Sequence, residues 1–165
     1  MVQHATVSME QLNLPTYNYE LRNKDGRIVI LDPIRKRFVQ LTPEEWVRQH
    51  FVQYMINHLG IPRGLIGIEV TIPIRDRHYR ADIVAYSQQV APLLLIECKR
   101  PSVKLNQEVF NQIGHYNLGF NVPYLVITNG MEHYCCMINH SDHSYQFLDK
   151  IPSYDSMISS TQNVK

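Results

Sequence analysis

An acidic and a basic side chain, Glu97 and Lys99, stand two residues apart at the end of an apolar segment. That segment, Leu93–Cys98, is nearly all apolar, which predicts a strand buried on both faces of a sheet. Alternate residues of a strand share a face, so the two charges lie on the same side. Charged groups are rarely buried without a partner or a metal ion. The pattern indicates either a reactive site or two solvated charges that pair where the strand ends.

Asp82 adds a second carboxylate from the preceding strand, predicted at residues 79–86. If a turn at residues 87–91 pairs the two strands, Asp82 comes near Glu97, and carboxylates held close raise each other's pKa. A hard cation such as Mg²⁺, with Mn²⁺ as a substitute, relieves this repulsion because it takes oxygen ligands and keeps several waters. Lys99 would then stabilise the charge that develops on a phosphate, or hold the attacking water.

Asp82 followed by Glu97-Cys98-Lys99 at the end of an apolar strand resembles the PD-(D/E)xK nuclease motif, with Ala81 where the family usually has proline. Gln112 and Tyr116 resemble the Gln-x-x-x-Tyr signature on the following helix in one branch of that superfamily. The two residues share a helix face with apolar neighbours, so we expect a buried Gln112 that bonds to an active-site carboxylate or a phosphate. The alternative is a glutamine at the helix edge and an amphipathic tyrosine.

A wider resemblance, over roughly residues 25–135, is to the N-terminal nuclease domain of the restriction (R) subunit of type I restriction–modification enzymes. The segments that carry it follow the family's order: Asp32–Lys36, Leu41–Gln49, Ile68-Glu69, Ala81–Val84, Glu97–Pro101, Gln112–Tyr116 and Thr128–Gly130. The resemblance implies an α/β fold of the restriction-endonuclease type, with a mixed β-sheet core flanked by helices. A full R subunit also carries an ATP-driven translocase. This chain has no Gly-x-x-x-x-Gly-Lys-[Ser/Thr] loop, so we expect it not to translocate DNA by itself.

The same resemblance implies a metal-dependent DNA endonuclease that leaves a 5′-phosphate and a 3′-hydroxyl. One or two metal ions would be held by Asp82, Glu97 and the carbonyl of Cys98, and Lys99 would support the attacking water. An acid on the first helix commonly joins the site. Glu45 is favoured for this role because it shares a face with inward-packing residues, although Glu44 could fill it. Whether Glu69 joins the metal site or is solvated stays open. Gln112 would act with the catalytic residues by orienting the DNA backbone.

Basic residues beside the motif are candidates for phosphate contacts. We expect DNA to contact Arg80, Arg100, Lys104 and Tyr116. A solvated turn that keeps the sheet soluble is the alternative for the cluster at residues 75–80. The formal net charge is only +1, whereas strong non-specific DNA binders usually carry a basic excess. We therefore expect affinity to come from a local basic face or from a larger complex.

The elements that must position these residues follow from periodicity and turn signals. An N-terminal β-hairpin is predicted around Asp25-Gly26, and a helix from Thr42, its cap, to a stop at Gly60. Isoleucines and a valine alternate over residues 66–74, which predicts a half-buried strand with Glu69 on the opposite face. The remaining predicted elements are a short strand at 38–41, strands at 79–86, 93–98, 124–128 and 132–138, and a helix at 106–118. The chain thus reads as an arm at 1–16, one nuclease-like domain at 17–152 and a frayed polar tail at 153–165.

Composition fits one soluble domain: 165 residues, 44% hydrophobic and 19% charged. The three cysteines form no disulfide framework or zinc spacing, which suits a reducing cytoplasm. Neither a secretory signal nor a membrane span is predicted.

Two other functions remain open. The fold could bind DNA or a restriction-complex subunit without cutting, or it could act on RNA, although no aromatic platform motif supports RNA. Because one active site cuts one strand, we expect a homodimer or a larger complex. The edge of the hairpin at residues 19–31 is a candidate contact.

Overall fold

The computed structural model describes residues 9–163, with side chains throughout except those of Ile74 and residues 115–120. The first eight residues of the predicted arm lie outside this range. Its described part packs on the domain, because Leu12 is buried and Asn13 N donates to Gly130 O at 2.8 Å. Among the described residues, no helix is long and apolar enough to cross a membrane.

A small antiparallel sheet begins the fold, in the order β1 (Leu21–Lys24), β2 (Arg27–Asp32) and β3 (Arg37–Gln40). Asp25 and Gly26 have φ of 52° and 79°, as a tight two-residue hairpin requires. The predicted hairpin is therefore confirmed.

Helix α1 (Pro43–Asn57) begins as predicted, since Thr42 Oγ1 accepts a hydrogen bond from Glu45 N at 3.0 Å. Its apolar residues, Val47, Phe51, Val52 and Met55, are fully buried against the main sheet. This helix therefore lies across one sheet face, with its acidic first turn at one end.

The main sheet has six strands in chain order: β4 (Ile66–Ile74), β5 (Arg77–Tyr86), β6 (Pro92–Cys98), β7 (Tyr124–Thr128), β8 (His133–Asn139) and β9 (Ser144–Leu148). All neighbours are antiparallel except β6 and β7, which run parallel because helix α2 (Gln107–Phe120) crosses between them. Helices α1 and α2 cover separate apolar clusters. The predicted α/β fold with a mixed sheet is confirmed, whereas β9 was not predicted.

The strand predicted at 66–74 is present as β4, but its apolar residues do not form the one continuous stripe that the alternation predicted. Ile66 and Ile68 pack into the cluster under α1, whereas Val70 and Ile72 pack into the cluster under α2. Between them Glu69 has φ of 52°, a left-handed conformation that is uncommon for a side chain other than glycine. This residue interrupts the regular alternation that the prediction assumed.

The neighbouring strand β5 changes faces at the same level. Ile83 and Ala85 belong to the α1 cluster, whereas Tyr79 and Ala81 belong with α2. The flanking pairs Ile68–Ile83 and Val70–Ala81 place Glu69 opposite Asp82. Asp82 therefore lies where the apolar residues of both strands change from one face of the sheet to the other. Its carboxylate can contact groups from α1.

The C-terminal segment forms helix α3 (Tyr154–Gln162), so the prediction of a frayed tail is wrong over these residues. Ser153 caps the helix, and Tyr154 and Met157 are 5% and 0% exposed. Two apolar residues three positions apart are enough to bury one face of a polar helix. Tyr154 N also donates to Leu59 O at 2.7 Å, which ties α3 to the end of α1.

Candidate active site

Asp82 and Glu97 face each other across β5 and β6. Ile83 pairs with Ile96, so the next residues outward along the ladder are Asp82 and Glu97. Asp82 Oδ2 accepts a hydrogen bond from the amide of Cys98 at 2.8 Å, which fixes its carboxylate against the end of β6. The structure thus brings the two predicted carboxylates to one place.

Glu97 is held on both oxygens. Its Oε2 accepts from the hydroxyl of Tyr79 at 2.9 Å, and its Oε1 accepts from Lys99 Nζ at 3.2 Å. Burial, and next the negative charge of Asp82, raise the pKa of Glu97 to about 7, although Lys99 and Tyr79 act in the opposite direction. At Glu97 the effects of burial and of the Asp82 charge therefore outweigh the effect of the neighbouring cation Lys99.

Arg48 joins α1 to this pair. Its side chain is 6% exposed, and Nη2 donates to Asp82 Oδ1 at 2.8 Å. The same guanidinium forms an ion pair through Nη1 with Glu45 Oε2. Each oxygen of Asp82 thus has one hydrogen-bond donor, and each keeps a further lone pair for another partner.

Glu45 lies inside a buried polar network rather than beside Asp82. Its Oε1 accepts from Arg35 Nη2 at 2.5 Å and from Gln49 Nε2 at 2.8 Å. Arg35 and Gln49 also bond to the buried carboxylate of Asp32, at 2.6 and 2.9 Å. Glu45 is therefore neutralised by two arginines and connects to Asp82 through Arg48.

Glu44 is the helix acid that faces the open side of the site. Burial and then the charge of Asp82 raise the pKa of Glu44, whereas Arg48 and Lys99 lower it. Glu44 Oε1 lies 3.4 Å from Arg48 Nη2, the guanidinium that also binds Asp82. Its side chain is 46% exposed, so Glu44 can approach a ligand that Glu45 cannot reach. The sequence analysis favoured Glu45 because it shares a helix face with inward-packing residues. Glu45 does face inward, but its carboxylate is paired there with Arg35 and Arg48.

Four other acidic or basic candidates lie around the motif: Glu69, Arg80, Arg100 and Lys104. Glu69 Oε2 accepts from Arg35 Nη1 at 3.0 Å, and its Oε1 lies 3.6 Å from Arg80 Nη2. Arg80, Arg100 and Lys104 are exposed, with the last two on the connection from β6 to α2. They are therefore available to an incoming phosphate.

The Gln-x-x-x-Tyr segment differs from expectation. Gln112 is exposed, so the expectation of a buried amide is wrong. The apolar face of α2 is instead carried by Val109, Phe110 and Ile113, which turns Gln112 towards solvent. The side chain of Tyr116 lies outside the described residues.

The donor set fits a hard divalent cation. Asp82 and Glu97 offer carboxylate oxygens, and the carbonyl of Cys98 follows Glu97 directly in sequence. Mg²⁺ typically uses one or two protein carboxylates and keeps waters. The thiol of Cys98 is no ligand here, because it is buried in the α1 cluster, where burial raises its pKa. Within residues 9–163, no three histidine, cysteine or acidic side chains already stand together as a metal-binding group. Water, substrate or a shift of Glu44 would have to supply further ligands.

Comparison with known protein families shows which family the chain belongs to. The family model for the type I restriction enzyme R protein N terminus matches residues 43–152, which is most of the chain. The chain belongs to this family. A comparison with curated proteins gives no match.

A solved structure has a similar fold. It is the fragment structure of a protein assigned as an HsdR subunit of a type I restriction enzyme from Vibrio vulnificus YJ016, with a TM-score of 0.50 and 17% sequence identity. The similarity covers 76% of this chain and 27% of that chain. This chain therefore spans about a quarter of the length of that protein, and the likeness concerns the fold.

Sequence reasoning gave no role to the groups that hold the motif in place, namely Arg35, Arg48, Gln49, Asp32 and Tyr79, although the first four lie in segments that carry the family resemblance. A partial signal existed for Arg48, because it follows Glu44 and Glu45 by four and three residues, the spacing of ion pairs on a helix. The contact of Arg48 with Asp82 joins residues 34 positions apart. Nothing in local spacing indicates such a contact.

Proposed function

We propose that this domain is a Mg²⁺-dependent endodeoxyribonuclease that acts in the cytoplasm as part of a restriction system. The observation that carries the proposal is the carboxylate of Glu97, whose side chain is only 13% exposed and which lies beside Lys99. Its pKa is raised to about 7 by burial and by Asp82, and Lys99 Nζ lies 3.2 Å away. Membership of the R-protein family supports this reading of the site.

Each residue of the site has a task in phosphodiester hydrolysis. A bound divalent cation would polarise the phosphate and lower the pKa of a water molecule. Asp82 is oriented by Arg48 and by the amide of Cys98, and Glu97 is oriented by Tyr79. Lys99 has two further N–H groups beyond the one that it gives Glu97, so it can donate to a phosphate oxygen as negative charge builds there.

DNA and the other subunits of a restriction enzyme are the proposed partners. Arg80, Arg100 and Lys104 are exposed and can contact phosphates on either side of the site. The small net charge of +1 gives this domain little general attraction to DNA. Further affinity, and the movement of DNA, would come from the rest of a restriction complex.

A second candidate is a catalytically silent module that binds DNA or another subunit. Arg48 favours it, because its guanidinium already neutralises Asp82 at 2.8 Å. An arginine in this position can replace a cation structurally. Metal binding and catalysis distinguish the two functions.

Cleavage of supercoiled plasmid tests the proposal. Purified protein should produce nicked circles with Mg²⁺ or Mn²⁺, and EDTA should stop the reaction. Glu97→Gln and Lys99→Ala should each lower the rate by roughly a hundredfold or more, as loss of an electrostatic catalytic group does.

Matched substitutions at exposed positions, Glu108→Gln and Lys24→Ala, control for charge and should keep the rate of the unmodified protein. Circular dichroism should show that all four variants are folded. Metal binding without cleavage of any DNA would favour the silent module. Cleavage that persists in Asp82→Ala and Glu97→Gln would assign the activity to another site.

A further inference from the structure

Strand β9 forms an exposed edge of the main sheet. Among the described residues it pairs with β8 alone, and four of its five residues are exposed. Two of these are aromatic: Tyr145 and Phe147 are 48% and 45% exposed. Their rings lie on Phe110 of α2, with centroids 5.3 and 4.8 Å away. The apolar surface therefore extends to the edge of the sheet, where the backbone N–H and C=O groups on the outer side of β9 have no partner strand among the described residues.

The direction of those backbone groups follows from the neighbouring strand. Ile138 N donates to Pro123 O at 2.8 Å, so the backbone of Ile138 faces the β7 side. Alternate residues of a strand face opposite neighbours, so Met137 faces β9 and forms its hydrogen-bonded pair with Gln146. Tyr145 and Phe147 therefore direct their N–H and C=O groups outwards.

We propose that β9 pairs antiparallel with β9 of a second copy of this chain, centred on Gln146, to make one continuous twelve-stranded sheet. In this register Tyr145 meets Phe147 of the partner subunit, and the outward backbone groups of both are satisfied. All five residues of the strand are covered. Aromatic pairs across an antiparallel ladder are stabilising, and here each pair occurs twice around the two-fold axis.

The charges at the two ends of β9 support a second copy of this chain as the partner, and they support the antiparallel orientation. Asp142 precedes the strand and Lys150 follows it. Antiparallel pairing about Gln146 brings the Asp142 end of one copy to Lys150 of the partner subunit, and His143 to Asp149 of the partner subunit. Parallel pairing in register would instead bring like charges together. Asp142 Oδ1 is used locally by Ser144, at 3.0 Å from its amide and 2.5 Å from its hydroxyl, so Oδ2 is the oxygen that would face the partner.

The other edge strands carry features that resist such pairing. Arg22 and Lys24 stand in β1, Arg37 stands in β3, and Pro73 stands in β4. Charged residues and proline are the usual protection of a sheet edge. Strand β9, with the sequence Ser-Tyr-Gln-Phe-Leu, has neither. This argument favours β9 over the N-terminal hairpin as the contact, and it does not depend on the proposed nuclease activity.

Charge reversal gives the first test, by analytical ultracentrifugation over micromolar concentrations. The unmodified protein should dimerise, and Asp142→Lys or Lys150→Asp alone should weaken the dimer about tenfold, because two opposite-charge pairs become like-charge pairs. The double variant restores both pairs and should dimerise within about threefold of the unmodified protein.

A cysteine at the centre gives the second test. Gln146 would face its own copy at a non-hydrogen-bonded position, where Cα atoms stand about 4.5 Å apart and a disulfide is possible. Gln146→Cys should form a covalent dimer under mild oxidation. Gln89→Cys, in an exposed turn, should not, and the three native cysteines are buried.

A folded protein that is monomeric throughout the micromolar range would overturn the proposal, and so would association only with other proteins. A dimer that ignores both single charge reversals and is not trapped through residue 146 would show that another surface is used, and would equally overturn it.

Discussion

At Glu97 two influences act on the pKa in the same direction. Burial of a side chain that is 13% exposed and the charge of Asp82 both favour the protonated form, and they outweigh the attraction of Lys99. Ionisation of a carboxyl group in this state lowers the stability of the fold, because the folded protein binds the proton more tightly than the unfolded chain does. This is consistent with the proposed role of Glu97 as a metal ligand.

This shift predicts a pH dependence of stability in EDTA. Between 4.5 and about 7 the folded state keeps a proton on Glu97 that the unfolded state has lost, so this group's contribution to the free energy of unfolding falls as the pH rises through that window. Glu97→Gln cannot ionise. The variant should therefore gain stability relative to the unmodified protein between pH 5 and pH 8, by about 1–3 kcal/mol in urea unfolding.

Glu132→Gln, at an exposed position, is the control for a general charge effect and should show no such gain. A stability difference between Glu97→Gln and the unmodified protein that is the same at both pH values would contradict the raised pKa.

At the scale of elements, α1 carries the acids and the arginine that orient the motif. Arg48→Ala would leave Glu45 and Asp82 without their shared cation, and breaking a buried ion pair costs roughly 3–5 kcal/mol. Urea unfolding should show a loss of this size. Arg63→Ala, at an exposed residue, should change stability by less than about 1 kcal/mol. Equal losses in the two variants would mean that the network around Arg48 contributes little.

The predictable part of the fold is local. The hairpin turn at Asp25-Gly26, the capped start of α1 and the apolar strand before Glu97 each follow from neighbouring residues, and each is present. The same local reasoning fails where contacts between residues far apart in the sequence determine the structure. The left-handed Glu69 interrupts the alternation of β4, which is regular in the sequence. Helix α3 packs because Met157 is buried in the core.

The candidate site divides in the same way. Its proposed reacting groups, Asp82, Glu97 and Lys99, could be chosen from their spacing and the family resemblance, and the structure brings them together. The choice between Glu44 and Glu45 could not be made, because it depends on Arg35, which comes from a different element. Gln112 was expected to be buried because it shares a predicted helix face with apolar residues. Instead, α2 is oriented so that Phe110 and Ile113 pack into the core and Gln112 faces solvent.

At the scale of the whole molecule, the proposed DNA binding would rely on a local basic face, because the net charge is only +1. Replacing Arg80, Arg100 and Lys104 together by alanine should lower the slope of log affinity against log salt by roughly 2–3, since each phosphate contact contributes about 0.9. Fluorescence anisotropy with duplex DNA in EDTA measures this slope over a salt range of about 50 to 200 mM.

A triple variant with the same change of charge, at Arg22, Lys24 and Arg27 of the hairpin, is the control and should leave the slope nearly unchanged. Equal effects of the two triple variants would show that DNA responds to total charge and not to this face.

The central claim is that Asp82 and Glu97 form a divalent-cation site beside Lys99, and Mn²⁺ binding tests it most directly. Calorimetric titration of Mn²⁺ at pH 8, with and without a DNA duplex, should show one or two sites in the unmodified protein. Asp82→Asn combined with Glu97→Gln should abolish them while the protein remains folded, whereas Glu108→Gln should not. Unchanged Mn²⁺ binding in the double variant, or no binding to the unmodified protein even with DNA present, would contradict the account.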